Sequence, residues 1–490
     1  MQTLKPAPHA STLYAKREPV FPKAVDGNFR RFKWLVMAIT LTIYYVTPWL
    51  RWDRGPYAPD QAVLVDLANR RFYMFGIEIW PHEFYFVAGL LIMAGIGLFL
   101  VTSAVGRAWC GYSCPQTVWT DVFQHVDRFI DGDRNAQFRL QKAPWGPAKI
   151  ARRTLKWSIY LVISFWTGGA WIMYFADAPT LTRDFWAGDA APVAYATVAI
   201  LTATTFILGG FMREQFCIYM CPWPRIQSAM LDEKSLLVTY KDWRGEPRGS
   251  LKEAKGAATP LGDCIDCNQC VSVCPTGIDI REGPQIGCIT CALCIDACDK
   301  VMLQLGRPRG LIDYATLDDC EHEKAGGERR SLVKTVLRPR TLVYLGIWSA
   351  IGLGLLFALG VRQHFDLSAA KDRNPPFMLM SDGAVRNAYT LKLRNMEARP
   401  REMVVKLGGL PGAVMWSDFI SRDAAARSLA FKVAPDQTQA VRVYVIAPAG
   451  TREQAFTFVL SALDQDGAKA AETDTSETRF DAPGDQEDGE

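Results

Sequence analysis

The sequence predicts a multi-domain membrane protein: five transmembrane α-helices, an inserted α+β domain and a C-terminal antiparallel β-sandwich. Three observations predict it. Five long stretches carry no charge, eight cysteines fall into two identical frames, and short alternating segments crowd the region before the C-terminal tail. The chain has 490 residues, enough for several domains, and a net charge of +4. That near-balance does not suggest a nucleic-acid partner.

The uncharged stretches are Trp34–Leu50, Phe84–Val105, Trp157–Ala176, Val193–Met212 and Thr341–Val361. A helix needs about 20 apolar residues to cross a bilayer, so each reads as a span. The leader before the first is polar and basic, with Lys5, Lys16, Arg17, Lys23, Arg30, Arg31 and Lys33, and the stretch ends on Pro48-Trp49. No small-residue cleavage site follows, so it reads as a retained span rather than a signal peptide. Lys and Arg mark cytoplasmic flanks. The leader and the segment between spans two and three are basic, whereas Asp177–Pro192 has Arg183 as its only base. The expected topology therefore has the N-terminus in the cytoplasm and, after five crossings, the C-terminus outside.

The eight cysteines lie between spans four and five. Cys264, Cys267, Cys270 and Cys274 form one frame; Cys288, Cys291, Cys294 and Cys298 form the other. Both read C-x2-C-x2-C-x3-C, the bacterial two-cluster ferredoxin pattern, in which the fourth Cys serves the other cluster. Cluster one then takes Cys264, Cys267, Cys270 and Cys298, and cluster two takes Cys288, Cys291, Cys294 and Cys274. Zinc sites or a disulfide knot are the alternatives, but zinc motifs seldom use this triple spacing twice. Two [4Fe-4S] clusters in a 2[4Fe-4S] ferredoxin-like domain at about 260–305 make the chain a one-electron carrier. Pro275 follows the first frame as the pattern asks; Asp299 replaces the proline after the second.

Four further cysteines form a second repeat. Trp109-Cys110-Gly111-Tyr112-Ser113-Cys114-Pro115 follows span two, and Phe216-Cys217-Ile218-Tyr219-Met220-Cys221-Pro222 follows span four. On a continuing helix, thiols four residues apart share a face. Two such pairs at one membrane face offer up to four soft sulfurs, which suit Cu(I), zinc or iron–sulfur. Inert buried thiols are the alternative. No span contains a His for haem, and there is no phosphate-binding loop and no flavin or nicotinamide motif. The electron donor is thus external.

The expected organisation is a cytoplasmic tail at 1–33, a four-helix membrane domain at 34–212 (spans 34–50, 84–105, 157–176 and 193–212) and a cytoplasmic segment at 213–340. A fifth span at 341–361, an outer β-domain at 362–462 and an acidic tail at 463–490 follow. The terminal segments read as disordered from composition. Arg51–Glu83 reads as an outer loop, and Gln116–Ile130 as an amphipathic helix that lies in the membrane interface or packs on the ferredoxin. In the β-domain, Tyr389–Leu393, Met403–Leu407, Ser428–Val433, Val441–Ile446 and Phe456–Leu460 read as strands.

The runs Arg51-Trp52-Asp53-Arg54-Gly55-Pro56, Trp109 through Asp121 and Gly132-Asp133-Arg134-Asn135 resemble the FixG/CcoG family. These are accessory proteins of cbb3-type cytochrome c oxidase assembly. The resemblance covers nearly the whole chain and implies an immunoglobulin-like C-terminal domain and location in the bacterial inner membrane. It also implies a cupric reductase, an oxidoreductase that reduces Cu(II) to Cu(I) for the oxidase's copper site. Cys110, Cys114, Cys217 and Cys221 match the positions implicated in copper handling. The expected partners are oxidase assembly factors or copper chaperones and transporters, with an unidentified cytoplasmic electron donor. A membrane conduit exchanging electrons with quinone and a non-enzymatic assembly scaffold are the competing readings.

Overall fold

The structure, a computed structural model, describes residues 19–56, 58–250, 252, 260–328, 336–397, 399–435, 437–463 and 469–483. The chain divides into two compact units, residues 1–50 with 61–355, and 51–60 with 356–490.

In the first unit, α1 (Asn28–Val46) is followed by a three-stranded antiparallel sheet, β1 (Val63–Asp66), β2 (Arg71–Met74) and β3 (Ile77–Ile79), where the sequence suggested a loop. Then come α2 (Tyr85–Val105), α3 (Ala108–Tyr112), α4 (Pro115–Asp131), α5 (Arg134–Lys142) and α6 (Pro147–Ile172). After them come α7 (Ala178–Ala187) and α8 (Pro192–Thr205), which continues as a π-helical turn over Phe206–Met212. Among the described residues, three helices are long and apolar enough to cross a membrane: Tyr85–Val105, Pro192–Met212 and Pro339–Gly360. The other two expected spans are also helices, but each opens on basic turns. Arg30, Arg31 and Lys33 start α1, and Lys149, Arg152, Arg153 and Lys156 start α6.

The expectation of a disordered leader fails over its described part, and residues 1–18 lie outside the described residues. Asp296 of the ferredoxin domain accepts hydrogen bonds from Phe29 N at 3.2 Å and Arg30 N at 2.8 Å. Those are orphan donors of the α1 N-terminus, where a carboxylate also meets the helix dipole favourably. Gly27 sits against this carboxylate; a Cβ there would lie 2.2 Å from Asp296 Cγ. Arg30 then forks onto Asp121 of α4 at 2.9 and 3.0 Å. Composition could not show this, because the partners lie far along the chain.

The ferredoxin domain is wider than the cysteine frames. After α9 (Trp223–Met230), β4 (Leu237–Tyr240) pairs antiparallel with β5 (Ile312–Ala315). Between them lie α10 (Asp242–Gly245), α11 (Gln269–Val273) and α12 (Leu293–Gln304). Val238, Ile280, Ile295, Met302, Leu311 and Ile312 form its small core together with Cys264 and Cys270. Next, α13 (Leu317–Lys324) packs beyond β5, and α14 (Pro339–Gly360) is the last apolar helix.

The second unit is an antiparallel β-sandwich. One sheet runs Val414–Ser417, Gln437–Ala447, Val385–Asn395, Phe365–Lys371, with Met378–Leu379 on Val385–Asn395; the other runs Ser428–Val433, Arg401–Gly408, Gln454–Leu463, Lys469–Phe480. The strands are β6 (Phe365–Lys371), β7 (Met378–Leu379), β8 (Val385–Asn395), β9 (Arg401–Gly408) and β10 (Val414–Ser417). They continue with β11 (Ser428–Val433), β12 (Gln437–Ala447), β13 (Gln454–Leu463) and β14 (Lys469–Phe480). Each alternating segment read from the sequence lies within a strand. Tyr389, Leu391, Met403, Val443, Phe458 and Leu460 point inward and are fully buried, each worth about 1.5–3 kcal/mol of burial.

The acidic tail is a correction. Residues 469–480 form β14, paired with β13, while 464–468 and 484–490 lie outside the described residues. Its polar side chains satisfy backbone donors of edge strand β6. Asp474 accepts from Leu367 N at 2.7 Å, Ser476 accepts from Ala369 N at 3.1 Å, and Phe480 is fully buried. A low-hydrophobicity segment can thus be ordered when its polar groups complete a neighbour's ladder.

Candidate functional site

The two ferredoxin frames adopt the same backbone. The residues two and four places after the first Cys of each frame are left-handed: Asp266 at φ 51° and Asn268 at 54°, Thr290 at 56° and Ala292 at 59°. Non-glycine residues rarely accept this conformation. Its repetition gives both loops the same turn, a conformation of the kind that can present backbone N–H groups to an anionic iron–sulfur cluster. Arg281 braces the first loop, bonding Asp266 at 2.5 Å, Asn268 at 2.5 Å and Asp279 at 2.6 Å.

The fourth cysteine of each frame has thiols of the other frame among its neighbours. Cys298 has Cys270, Cys267 and Cys264 as its thiol neighbours. Cys274 neighbours Cys288, Cys291 and Cys294. A small cavity of about 20 Å3 is lined by Cys270, Cys274, Cys288, Cys291 and Cys294, with Ile278, Ile280 and Leu293 among its apolar walls. Burial pushes the Cys291 and Cys298 thiols up to about 12, so in this dry setting the thiolate form is favoured only when a metal holds it. Among the described residues no three His, Cys, Asp or Glu side chains are placed to hold one metal ion. A cubane spreads its thiolates over separate irons, so its ligands stand farther apart. The crossed grouping, the paired loops and the sulfur-lined cavity fit two cubane clusters.

The membrane motifs also share a backbone, but not the continuous helix that the spacing suggested. Gly106, four residues before Cys110, has φ 62° and ψ −129°; Arg213, four before Cys217, has φ 44° and ψ −113°. The chain breaks there in both halves. Cys110 then lies in α3 and Cys217 in a π-helical turn over Phe216–Met220. Cys114 and Cys221 are extended, at ψ 129° and 123°, because a proline follows each. Gly106 is further required because a Cβ would meet Leu236 O at 2.2 Å. The left-handed Arg213 is held by Asp127 at 2.7 Å and the Tyr160 hydroxyl at 2.6 Å.

These breaks bring both motifs together: Cys217 has Cys114, Cys110 and Cys221 as its charge neighbours. Burial pushes the Cys217 thiol up to about 12, and Cys110 up to about 11 against the pull of nearby Arg107. Cys110 donates to Gln227 Oε1 at 3.1 Å, and Gln227 donates to Thr102 at 3.2 Å. The quartet abuts the second ferredoxin frame. A Cβ on Gly111 would meet Ile289 O at 2.7 Å and the Cys291 backbone at 3.1 Å. Tyr112 donates to Cys291 O at 3.1 Å.

The family described as "4Fe-4S dicluster domain" matches residues 212–317, "4Fe-4S binding domain" matches 86–132, and "IG-like fold at C-terminal of FixG" matches 355–483. "Nitrogen fixation protein FixG" of Rhizobium meliloti is 53% identical, covering 99% of this chain and 96% of its own. The chain belongs to the FixG family. "Protein RdxA" of Cereibacter sphaeroides is 55% identical over 90% of this chain and 91% of its own. A solved structure, a FixG-related protein from Vibrio parahaemolyticus, is 20% identical and covers 24% of this chain and 96% of that one, at a TM-score of 0.19. As a FixG-family protein with iron–sulfur domains, an immunoglobulin-like domain and candidate membrane helices, the chain is an iron–sulfur electron-transfer protein of a membrane.

Residues other than cysteines complete the site in this FixG-family chain, and the sequence reading had no means of finding most of them. Arg107 is 3% exposed, bonds Ile286 O at 2.5 Å, and acts electrostatically on Cys110, Cys217 and Cys288. Lys33, also buried, faces Asp121 at 4.0 Å and Cys291. It lines a crevice that includes Cys217, Pro275 and Thr276. The only signal in the sequence was that Arg107 precedes the first motif.

Proposed function

We propose that this chain is a cupric reductase of the bacterial inner membrane. It serves copper-site assembly of a cbb3-type oxidase, with oxidase assembly factors or copper chaperones as partners. Five spans, the N-terminus in the cytoplasm and the C-terminus in the periplasm complete the reading. The observation that carries it is the meeting of the four motif thiols against the loop of Cys288–Cys294, with Gly111 on the Cys291 backbone.

Cys264, Cys267, Cys270 and Cys298 would hold one cluster, and Cys288, Cys291, Cys294 and Cys274 the other. Bound there, the clusters would supply single electrons. Cys110, Cys114, Cys217 and Cys221 receive Cu(II) as substrate. Cys110 and Cys217 release protons on binding it, because burial keeps these two thiols protonated when empty. Soft sulfur holds Cu(I) more tightly than Cu(II), which favours reduction. Gln227 and Thr102 fix the Cys110 side chain, and Arg107 offsets the negative charge that accumulates between the quartet and Cys288.

One observation favours a second reading of the same thiols: the "4Fe-4S binding domain" match at 86–132 contains Cys110 and Cys114 and no other cysteine. The quartet could then hold an iron–sulfur centre of its own. Anaerobic purification with metal analysis separates the two. The cupric-reductase reading expects about eight irons per chain and one-electron reduction of added Cu(II) by the dithionite-reduced protein. About twelve irons, with no Cu(II) reduction, overturns it.

A further inference from the structure

An open cavity of about 410 Å3 lies beside the second ferredoxin frame, separate from the sulfur quartet. Its lining includes Arg107, Leu231, Leu237, Pro284, Ile286 and Cys288. Cys288 and Val238 line both this cavity and the sulfur-lined one, so a molecule bound here is separated from the second frame by a single layer of side chains. Arg107 closes one wall, and its buried Nε has no hydrogen-bond partner among the described residues. An unpaired donor in a dry site carries a desolvation cost that a ligand's acceptor would relieve.

The position of the cavity selects the ligand. Arg107 follows α2, and Asp232 on the rim bonds Arg338 at 2.6 Å and Arg340 at 3.0 Å, at the start of α14. Arg338 also donates to Ser103 O of α2 at 2.9 Å, and Ser103 and Thr341 share a hydroxyl hydrogen bond of 3.0 Å. The ends of two candidate membrane helices therefore meet at the rim. The walls are largely apolar; the charged residues among them are Arg107, Glu233 and Asp232, whose carboxylate is paired with Arg338 and Arg340. Partial burial pushes the Asp232 carboxyl up, but Arg338, Ser235 and Arg340 outweigh it and hold it down at about 2. A neutral ring with carbonyl or hydroxyl oxygens and an apolar tail meets the apolar walls, the Arg107 donor and the membrane approach.

We propose that this cavity binds the ring of a membrane quinol, and that the quinol is the electron donor of the protein. The inference rests on the cupric-reductase reading for the fate of the electrons. One quinol is oxidised to one quinone, releasing two protons and two electrons; two Cu(II) take up the electrons to give two Cu(I). The protons leave at the exposed mouth beside Glu233. Arg107 hydrogen-bonds a ring oxygen, a positioning role at the wall shared with Cys288.

The test uses the full-length, cluster-loaded protein in lipid nanodiscs. A photoreactive quinone analogue should label residues 228–238 or 284–290. Ile286→Trp should fill the exposed mouth, raising the Kd of a short-chain quinone analogue about tenfold or more. Iron content should stay unchanged, and Leu303→Trp, an exposed position away from the cavity, should bind normally. Cu(II) reduction driven by quinol should fall in Ile286→Trp, while reduction driven by dithionite stays. Labelling elsewhere, unaltered quinone affinity in Ile286→Trp, or NADH replacing quinol as the direct donor overturns the proposal. Loss of dithionite-driven Cu(II) reduction in the unaltered protein would sink the copper reading alone, because quinone binding is read separately.

Discussion

In each ferredoxin frame the first three thiols share one short loop, and only the fourth reaches across to the other frame. The membrane thiols reach one another only because two helix ends, after α2 and after the π-turn beyond α8, are folded together. Both systems are twofold repeats with matching left-handed residues, Asp266 and Asn268 against Thr290 and Ala292, and Gly106 against Arg213. They differ in what holds the geometry. The frames wrap their own backbone around a centre and cross only at Cys274 and Cys298. The membrane quartet depends on remote side chains: Asp127 and Tyr160 on Arg213, and Gln227 on Cys110. A local site should fail one centre at a time, and a tertiary site should fail as a whole.

The largest effect tests the crossing itself. Replacing Cys274 with Ser should remove the cluster held by Cys288, Cys291 and Cys294, lowering iron from about eight to about four per chain. Electron paramagnetic resonance should show the cluster of Cys264, Cys267, Cys270 and Cys298 intact. Loss of that cluster instead would return each fourth cysteine to its own frame.

Next come the membrane thiols. Cys110→Ser and Cys217→Ser should each lower the rate of Cu(II) reduction about 100-fold or more, with iron near the unaltered level. Because the quartet works as one unit, the double variant should be scarcely worse than either single. Multiplying losses in the double variant would show two independent pairs.

Gly111→Ala probes the join between the two systems. The new Cβ would press on Ile289 O and the Cys291 backbone, and the overpacking should cost about 1–3 kcal/mol. The readout is stopped-flow oxidation of the reduced protein by Cu(II), which should slow while the iron count and the Cu(I) affinity of the quartet hold. An unchanged rate would mean that the contact carries no coupling.

The ferredoxin frames were legible because cluster ligation is set by spacing within one segment, and the β-strands because burial of one face writes a period of two. What stayed hidden is tertiary. The fractured helix at each membrane motif depends on Gly106 packing against Leu236 and on Arg213 being caught by Asp127. Each partner is distant in sequence. The order of the leader and of β14 was invisible for the same reason: Asp296, Asp474 and Ser476 act on backbone groups of segments far from their own. Polarity of those stretches argued for disorder, although the polar atoms were the ones making the contacts. The first and third candidate spans were read from their apolar halves, while the helices themselves begin earlier, on Arg30, Lys33, Lys149 and Lys156.

The smallest effect concerns Lys33, which faces both cysteine systems. It acts on Cys291 of the second frame and lines the crevice that holds Cys217. A buried cation stabilises the extra negative charge that a cluster gains on reduction, so it raises that cluster's potential. Lys33→Met keeps the stem and removes the charge, and Asp121 retains the Arg30 fork at 2.9 and 3.0 Å, which preserves the ion pair between α1 and α4. The potential of the second cluster should therefore fall by a few tens of millivolts. The first cluster should scarcely move, because the cation beside Cys270 is Arg281 rather than Lys33. Redox titration followed by electron paramagnetic resonance resolves the two. Equal shifts in both clusters would mean that Lys33 acts through the fold, and a rise in the second would reverse the sign on which its role depends.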